Sequence, residues 1–143
     1  ARYPTLELRI ADIPLTVGES VTVAGLFRAL VVEAMAEDAA GAPMPLVRPE
    51  LLRAALWRAA RYGLDGELLD VRSLASRPAE KVVDDLVERL APHLEALGDR
   101  ERVTAGVEHI RAEGTGAERQ RRAYAERDEI DDVTEMIAAV TVP

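Results

Sequence analysis

The chain contains no cysteine, one lysine, one tryptophan, one phenylalanine and two histidines in 143 residues. Without cysteine there is no disulfide framework, no thiolate metal site and no thiol nucleophile. No apolar run approaches the roughly 18 residues that a membrane span requires. No stretch has the layout of a signal peptide either, so a cytoplasmic location is the expectation. Lysine is almost absent because 17 of the 18 basic residues are arginine. With so much Ala, Val, Leu and Gly, that usage reads as GC-rich coding bias, and a lone arginine is weak evidence of a site.

The net charge of −8 lies entirely in one part of the chain. Residues 1–63 carry seven arginines against seven acidic residues, whereas residues 64–143 carry 11 basic against 19 acidic. Bulk nucleic-acid binding, which needs a basic face, is disfavoured. At 48% hydrophobic and 31% charged the composition is that of a folded protein. The first residue is Ala rather than Met, so the chain is expected to be processed or a piece of something longer.

The stretch "PTLELRIADIPLT", Pro4 to Thr16, alternates as a half-buried strand does. Over Thr5–Asp12, Leu6, Leu8 and Ile10 share one face, and Thr5, Glu7, Arg9 and Ala11 the other. Ser20 is a plausible N-cap for a helix over Val21–Asp38 that is apolar nearly all round, a pattern expected of a helix buried on more than one side. The proline-rich linker "GAPMPLVRP" leads to a second helix from Pro49 to Tyr62, ended by Gly63. "YGLDGELLDVRS" reads as a loop with a short extended piece at Leu68–Val71. A third helix is expected from Pro78 to about Leu97, with Pro92 inside it as a potential kink. Asp99 is placed to cap a fourth helix to about Glu113 and Thr115 a fifth over Gly116–Arg127, with a short sixth over Asp131–Ala139. One strand among five or six helices leaves its backbone edges unpaired. Its neighbours are therefore expected from an upstream segment or another chain.

Residues i and i+2 of a strand share a face about 7 Å apart. Glu7 and Arg9 so placed fit two readings. Either they solvate a wet face, worth under about 1 kcal/mol, or the carboxylate holds a hard cation while the guanidinium reaches a phosphate. The helix with Arg53, Trp57, Arg58 and Arg61 is basic against an acidic second half. Arg58 and Arg61 share a face, and Trp57–Arg61 is an i, i+4 pair suited to cation–π stacking. Arg61 is read as a contact for a nucleotide or a substrate carboxylate, or else these arginines pair with the acidic helices over 78–135. Trp57 is read as a packing residue, and His93 and His109 as surface or ion-paired. "GTGAERQRRAY" lacks Walker spacing and reads as a capped helix start whose basic cluster is able to close over a neighbour.

Three blocks in order, "TLELRIADIPLT", "RAARYGLDG" and "GTGAERQRRAY", resemble the C-terminal half of the bacterial carboxylate–amine ligases of the type 2 glutamate–cysteine ligase family, within the glutamine-synthetase superfamily. The resemblance covers nearly the whole chain. It implies an α+β, glutamine-synthetase-like fold. Residues 1–143 would be the C-terminal portion of a single catalytic domain, with the active-site strand and turn in 1–20 and a helical portion over 21–143.

The resemblance also implies an ATP-dependent ligase that phosphorylates a carboxylate, that of the glutamate side chain being expected, to an acyl phosphate that an amine then attacks. By the same resemblance Glu7 would ligate Mg²⁺ or Mn²⁺. Arg9 would be catalytic, contacting the transferring phosphoryl group or the substrate carboxylate. Arg58 and Arg61, on one face of the basic helix, are read from that placement as candidate substrate or nucleotide contacts. Thr5 departs from glutamine synthetase, which has Arg there, so one nucleotide contact must come from elsewhere. The remaining metal-binding carboxylates would lie upstream, the active site in this chain would be incomplete, and a homo-oligomer is expected. The competing reading is a non-enzymatic helical interaction module that adds its N-terminal strand to a partner's sheet.

Overall fold

The computed structural model describes residues 5–44 and 46–141; Pro4, with which the opening stretch begins, and Pro45 of the linker fall outside them. The described chain is mostly helical. α1 spans Val17–Ala39, α2 Pro49–Tyr62, α3 Ala79–Leu97, α4 Arg100–Glu113, α5 Gly116–Arg127 and α6 Ile130–Thr141. Between α2 and α3, β1 (Glu67–Asp70) and β2 (Ala75–Pro78) form an antiparallel hairpin in the register Glu67↔Pro78 to Asp70↔Ala75.

The expected strand over Thr5–Asp12 is not formed. These residues join no ladder, and Leu6 and Ile10 are about 70% exposed, which corrects the placing of the chain's strand. The alternation is present, but a strand exists only when a second backbone takes its N–H and C=O groups, and no described segment does so. The hairpin shows the opposite case. "ASRP" has little strand propensity, yet β2 pairs with β1 because a tight turn brings them together. The Asp70 carboxylate organises that turn by accepting hydrogen bonds from the Ser73 hydroxyl (2.7 Å) and the Arg72 N–H (2.9 Å). Those bonds, with a further one from Arg77, hold the Asp70 carboxyl down at about 2. Leu74 adopts a left-handed φ of 57° to close the turn.

α1 begins four residues earlier than the position of Ser20 suggests. Thr16 is its N-cap, and Thr16 with Glu19 makes a reciprocal capping box, while the Ser20 hydroxyl bonds back to the Thr16 carbonyl. The expectation of burial on more than one side also needs correcting. Within the described residues α1 packs one face on α3 and α4, and Val17 and Met35 stand 78% and 67% exposed. The core is Ala29, Leu90, Leu94, Val103 and Val107, with Leu26, Leu30, Val83, Leu86, Val87 and Leu97 packed around it. Pro92 lies within α3 without ending it. α5 and α6 pack together, joined across their turn by Arg127 and Asp132.

α1 and α4 approach closely because each offers a small residue. A Cβ built on Gly106 would lie 2.9 Å from the Cβ of Thr22, and one on Gly25 would lie 2.6 Å from a Val103 methyl. Asp99 occupies the N-cap position of α4 but makes no capping hydrogen bond, its carboxylate being taken instead by Arg28 of α1. Gly106→Ala should therefore force the two helices apart and destabilise the protein by about 1–3 kcal/mol, read as a lower denaturant midpoint. An unchanged midpoint would show that the approach is looser than described.

Candidate functional site

Four of the residues singled out from the sequence separate into three situations. Glu7 and Arg9 are in contact, Arg9 Nε donating to Glu7 Oε1 at 2.6 Å, with side chains 68% and 81% exposed. The i, i+2 spacing thus does bring carboxylate and guanidinium together, even with no strand formed. Arg58 turns away to the hairpin. Its Nε donates to the Glu67 carbonyl at 2.6 Å and its guanidinium sits 3.6 Å from the Glu67 carboxylate, so it fastens α2 to β1. The pairing is with Glu67, not with the acidic helices beyond residue 78. Arg61 has no carboxylate or carbonyl partner among the described residues and lies over the Tyr62 ring, 5.6 Å from its centroid.

The expected Trp57–Arg61 stacking is replaced by this contact, and Trp57 itself meets Tyr62 edge-on at 6.1 Å. Trp57 is 62% exposed, so its reading as a packing residue is not met among the described residues. The reason is the helix it sits on. α2 has an amphipathic pattern, but none of its residues is buried, because nothing described covers Leu52, Leu56 and Trp57. His109 is exposed and His93 half-buried.

Arg61 belongs to a cleft of about 410 Å³ in which the three sequence blocks meet. One wall is the end of the first block, Ala11 to Leu15. The second is the last turn of α2, from Ala59 to Gly63. The third is the start of α5, with Thr115, Gly116, Ala117, Arg119 and Arg121. Glu7 and Arg9 do not line it; the segment that carries them enters the cleft at Ala11.

The walls are locked together around Glu19. Its Oε2 accepts from the backbone N–H of Leu15 (2.9 Å) and Thr16 (3.3 Å), and its Oε1 pairs with Arg119 of α5. The two side chains are only 7% and 11% exposed. Thr141 at the end of α6 donates to the Leu15 carbonyl at 3.0 Å, and Leu15 itself is buried against Gly116. A Cβ built on Gly63 would lie in ordinary contact with Thr115, 3.7 Å from its side chain. Thr115 repeats the capping box with Glu118, as its place in "GTGAERQ" anticipates. Asp12, Glu19, Arg119 and Arg121 were not singled out from the sequence. A capping-box spacing marks Thr16 and Glu19 locally, but nothing in the linear chain announces that Glu19 meets a residue one hundred positions on. Among the described residues no group of three or more His, Asp or Glu side chains is placed to hold a metal ion.

The chain matches the family described as glutamate-cysteine ligase family 2 over residues 1–136. It belongs to that family. It is 53% identical over 139 residues to a Frankia alni protein named "Putative glutamate–cysteine ligase 2-2", covering 97% of this chain and 36% of that protein. A Mycolicibacterium vanbaalenii protein of the same name is 42% identical over 99% of the chain and 39% of its own length. A Salinispora arenicola "Putative glutamate–cysteine ligase 2" is 52% identical over 85% of the chain and 32% of its own length. The chain thus spans about a third of the length of these relatives. No solved structure matches it. The resemblance carried by the three blocks is borne out, and the family and its members' names are those of ligases. No described helix is long and apolar enough to cross a membrane.

Glu19→Ala should be costly, since it removes the Glu19 half of the α1 capping box and leaves Arg119 buried without its counter-charge. Removing one partner of such a pair costs about 3–5 kcal/mol, so the variant is expected to lose most of its folded population at moderate denaturant, measured by far-UV circular dichroism. A loss below about 1 kcal/mol, the scale of an exposed pair, would contradict the tie described here.

Proposed function

We propose that this chain is the C-terminal, mostly helical part of a glutamine-synthetase-like catalytic domain, in an enzyme that joins a carboxylate to an amine at the expense of ATP. The carboxylate is that of the glutamate side chain, activated as an acyl phosphate before the amine attacks. The observation that carries this reading is the exposed Glu7–Arg9 pair, carried by a chain of this ligase family on a segment that enters a cleft. In the acting enzyme Glu7 would hold Mg²⁺ or Mn²⁺, which would neutralise phosphoryl charge, and Arg9 would be the guanidinium that meets the transferring phosphoryl oxygens. Arg61 contacts nucleotide or substrate. Arg58 was expected to share that role, and its double attachment to Glu67 favours a positioning one instead.

Both chemical steps crowd negative charge, so catalysis falls to positioned cations. The segment over residues 5–12 then takes its place as an edge-paired strand, with the neighbouring strands contributed by an upstream segment or a separate chain, and with copies of the protein assembled as a homo-oligomer. The exposed faces of Leu6, Ile10 and Ile13 and of α2 fit such a covering. With the metal-binding carboxylates divided between this chain and that covering, the residues here make half of a site.

Glu7→Gln in the full-length protein should abolish ADP release while leaving the melting temperature within a few degrees of wild type, since the side chain supports no fold contact beyond Arg9. Arg9→Lys should be severely impaired too, because a point charge does not replace a planar fork. Near-normal turnover in Glu7→Gln removes the metal-ligand role. Full activity in Arg9→Lys removes the phosphoryl contact.

A further inference from the structure

Leu15 ends the segment that carries Glu7 and Arg9, and each of its groups is held by a different element. Its backbone N–H donates to Glu19 Oε2 at 2.9 Å, and its carbonyl accepts from the Thr141 hydroxyl at 3.0 Å, 126 residues further along the chain. Its side chain is buried, and a Cβ built on Gly116 would lie 3.6 Å from Leu15 Cγ. α1, α6 and α5 thus each take one part of a single residue. These holds are themselves fixed, Glu19 by its pair with Arg119 of α5, and α6 by the Arg127–Asp132 pair that joins it to α5.

Nothing comparable holds the residues before Leu15. Among the described residues, those from 5 to 14 make no backbone hydrogen bond, and their one side-chain hydrogen bond is that between Glu7 and Arg9. The joint between the free part and the held part is stiff, because Pro14 fixes its own φ at about −65° and keeps Ile13 out of the helical region. What such an arm needs on joining a sheet is a register. The apolar alternation of Leu6, Leu8 and Ile10 excludes a slip of one residue, which would turn every side chain to the wrong face. It does not exclude a slip of two, which keeps the faces and displaces Glu7 and Arg9 by about 7 Å. A fixed root excludes both, since Arg9 stands six residues and Glu7 eight residues from Leu15.

We infer that Leu15 is a register pin, and that Glu19, Arg119 and Thr141 are positioning residues that act through it on Glu7 and Arg9. This rests on the reading above, in which the segment is taken up as a strand. Glu19 and Arg119 also carry the fold, being buried together at the junction of α1 and α5. Thr141 does not, since it sits at the end of α6, away from the core of α1, α3 and α4. It is therefore the residue at which positioning separates from stability, and it gives α6 a part in the site.

The test compares full-length wild type with Thr141→Val, which keeps the side chain's shape and removes its hydroxyl, so that the Leu15 carbonyl is left without that donor. Amide hydrogen exchange over Leu6–Ile10 and ADP release are measured with Mg²⁺ and ATP added. Protection of the segment should fall at least about fivefold, the scale of one lost hydrogen bond. kcat should fall as far with KM for ATP unchanged, while protection in α3 stays as in wild type. Thr141→Ser, which keeps the donor, should restore the segment. Thr134→Val, which loses a hydroxyl bonded only within α6, should behave as wild type. Wild-type protection of the segment in Thr141→Val overturns the inference. So does an equal loss in α3, or a loss that Thr141→Ser does not restore. Failure of the underlying reading shows instead in the wild type, as a segment that exchanges at the unstructured rate, and takes the inference with it.

Discussion

The contact on which most of this structure depends is the ion pair between Glu19 and Arg119. A buried pair is not stabilising by virtue of being buried, because the Coulombic gain is offset by desolvation of both charges. What it does is fix geometry. Glu19 spends one oxygen on the backbone of Leu15 and Thr16 and the other on Arg119. A single carboxylate therefore starts α1, ends the segment that carries Glu7 and Arg9, and seats α5 against both. Thr141 adds a second hold on Leu15 from the far end of α6. The cleft exists because these elements cannot slide past one another.

Around that tie the molecule divides unevenly. α1, α3 and α4 share a dry core built on Ala29, Leu90, Leu94 and Val103, drawn together where Gly25 and Gly106 let α1 and α4 touch. α2 and the segment over residues 5–13 have no such core. They carry apolar side chains at regular spacing and leave them in water: Leu6, Ile10 and Ile13 on the segment, Leu52, Leu56 and Trp57 on the helix. Apolar surface that is patterned but uncovered fits the covering proposed for these elements. These elements also flank the residues to which the chemistry is assigned, which is expected if the site is completed where that body meets this one.

Much of the architecture was legible because its signals are local. Pro49 and Gly63 bracket α2, Thr115 and Glu118 start α5, and the broad apolar face of α3 runs from Val82 to Leu97 with Pro92 inside. The failures were of two kinds. Ser20, at the end of the turn Gly18-Glu19-Ser20, reads as a plausible cap of α1, but Thr16 with the reciprocal Glu19 three residues beyond it is the cap that forms. β2 was missed because "ASRP" owes its extended state to β1 and to the Asp70 turn rather than to its own propensity. The strand over Thr5–Asp12 was overstated for the complementary reason, since propensity without a partner does not make a ladder. At the site, the Glu7–Arg9 contact followed from spacing alone. That Arg61, Arg121 and Asp12 line one cleft did not, because it is set by tertiary contacts between positions about 50 to 110 residues apart.

The account therefore turns on whether the segment with Glu7 and Arg9 becomes a strand in the working protein. Amide hydrogen exchange over Leu6–Ile10, measured in the full-length protein with Mg²⁺ and ATP added, tests this most directly. Alternate amides that are bonded to a neighbouring strand should exchange at least about a thousandfold more slowly than an unstructured chain, reflecting opening free energies of about 4 kcal/mol or more. Exchange at the unstructured rate throughout the segment would mean that no sheet receives it, and the placing of Glu7 and Arg9 in a ligase active site would be contradicted.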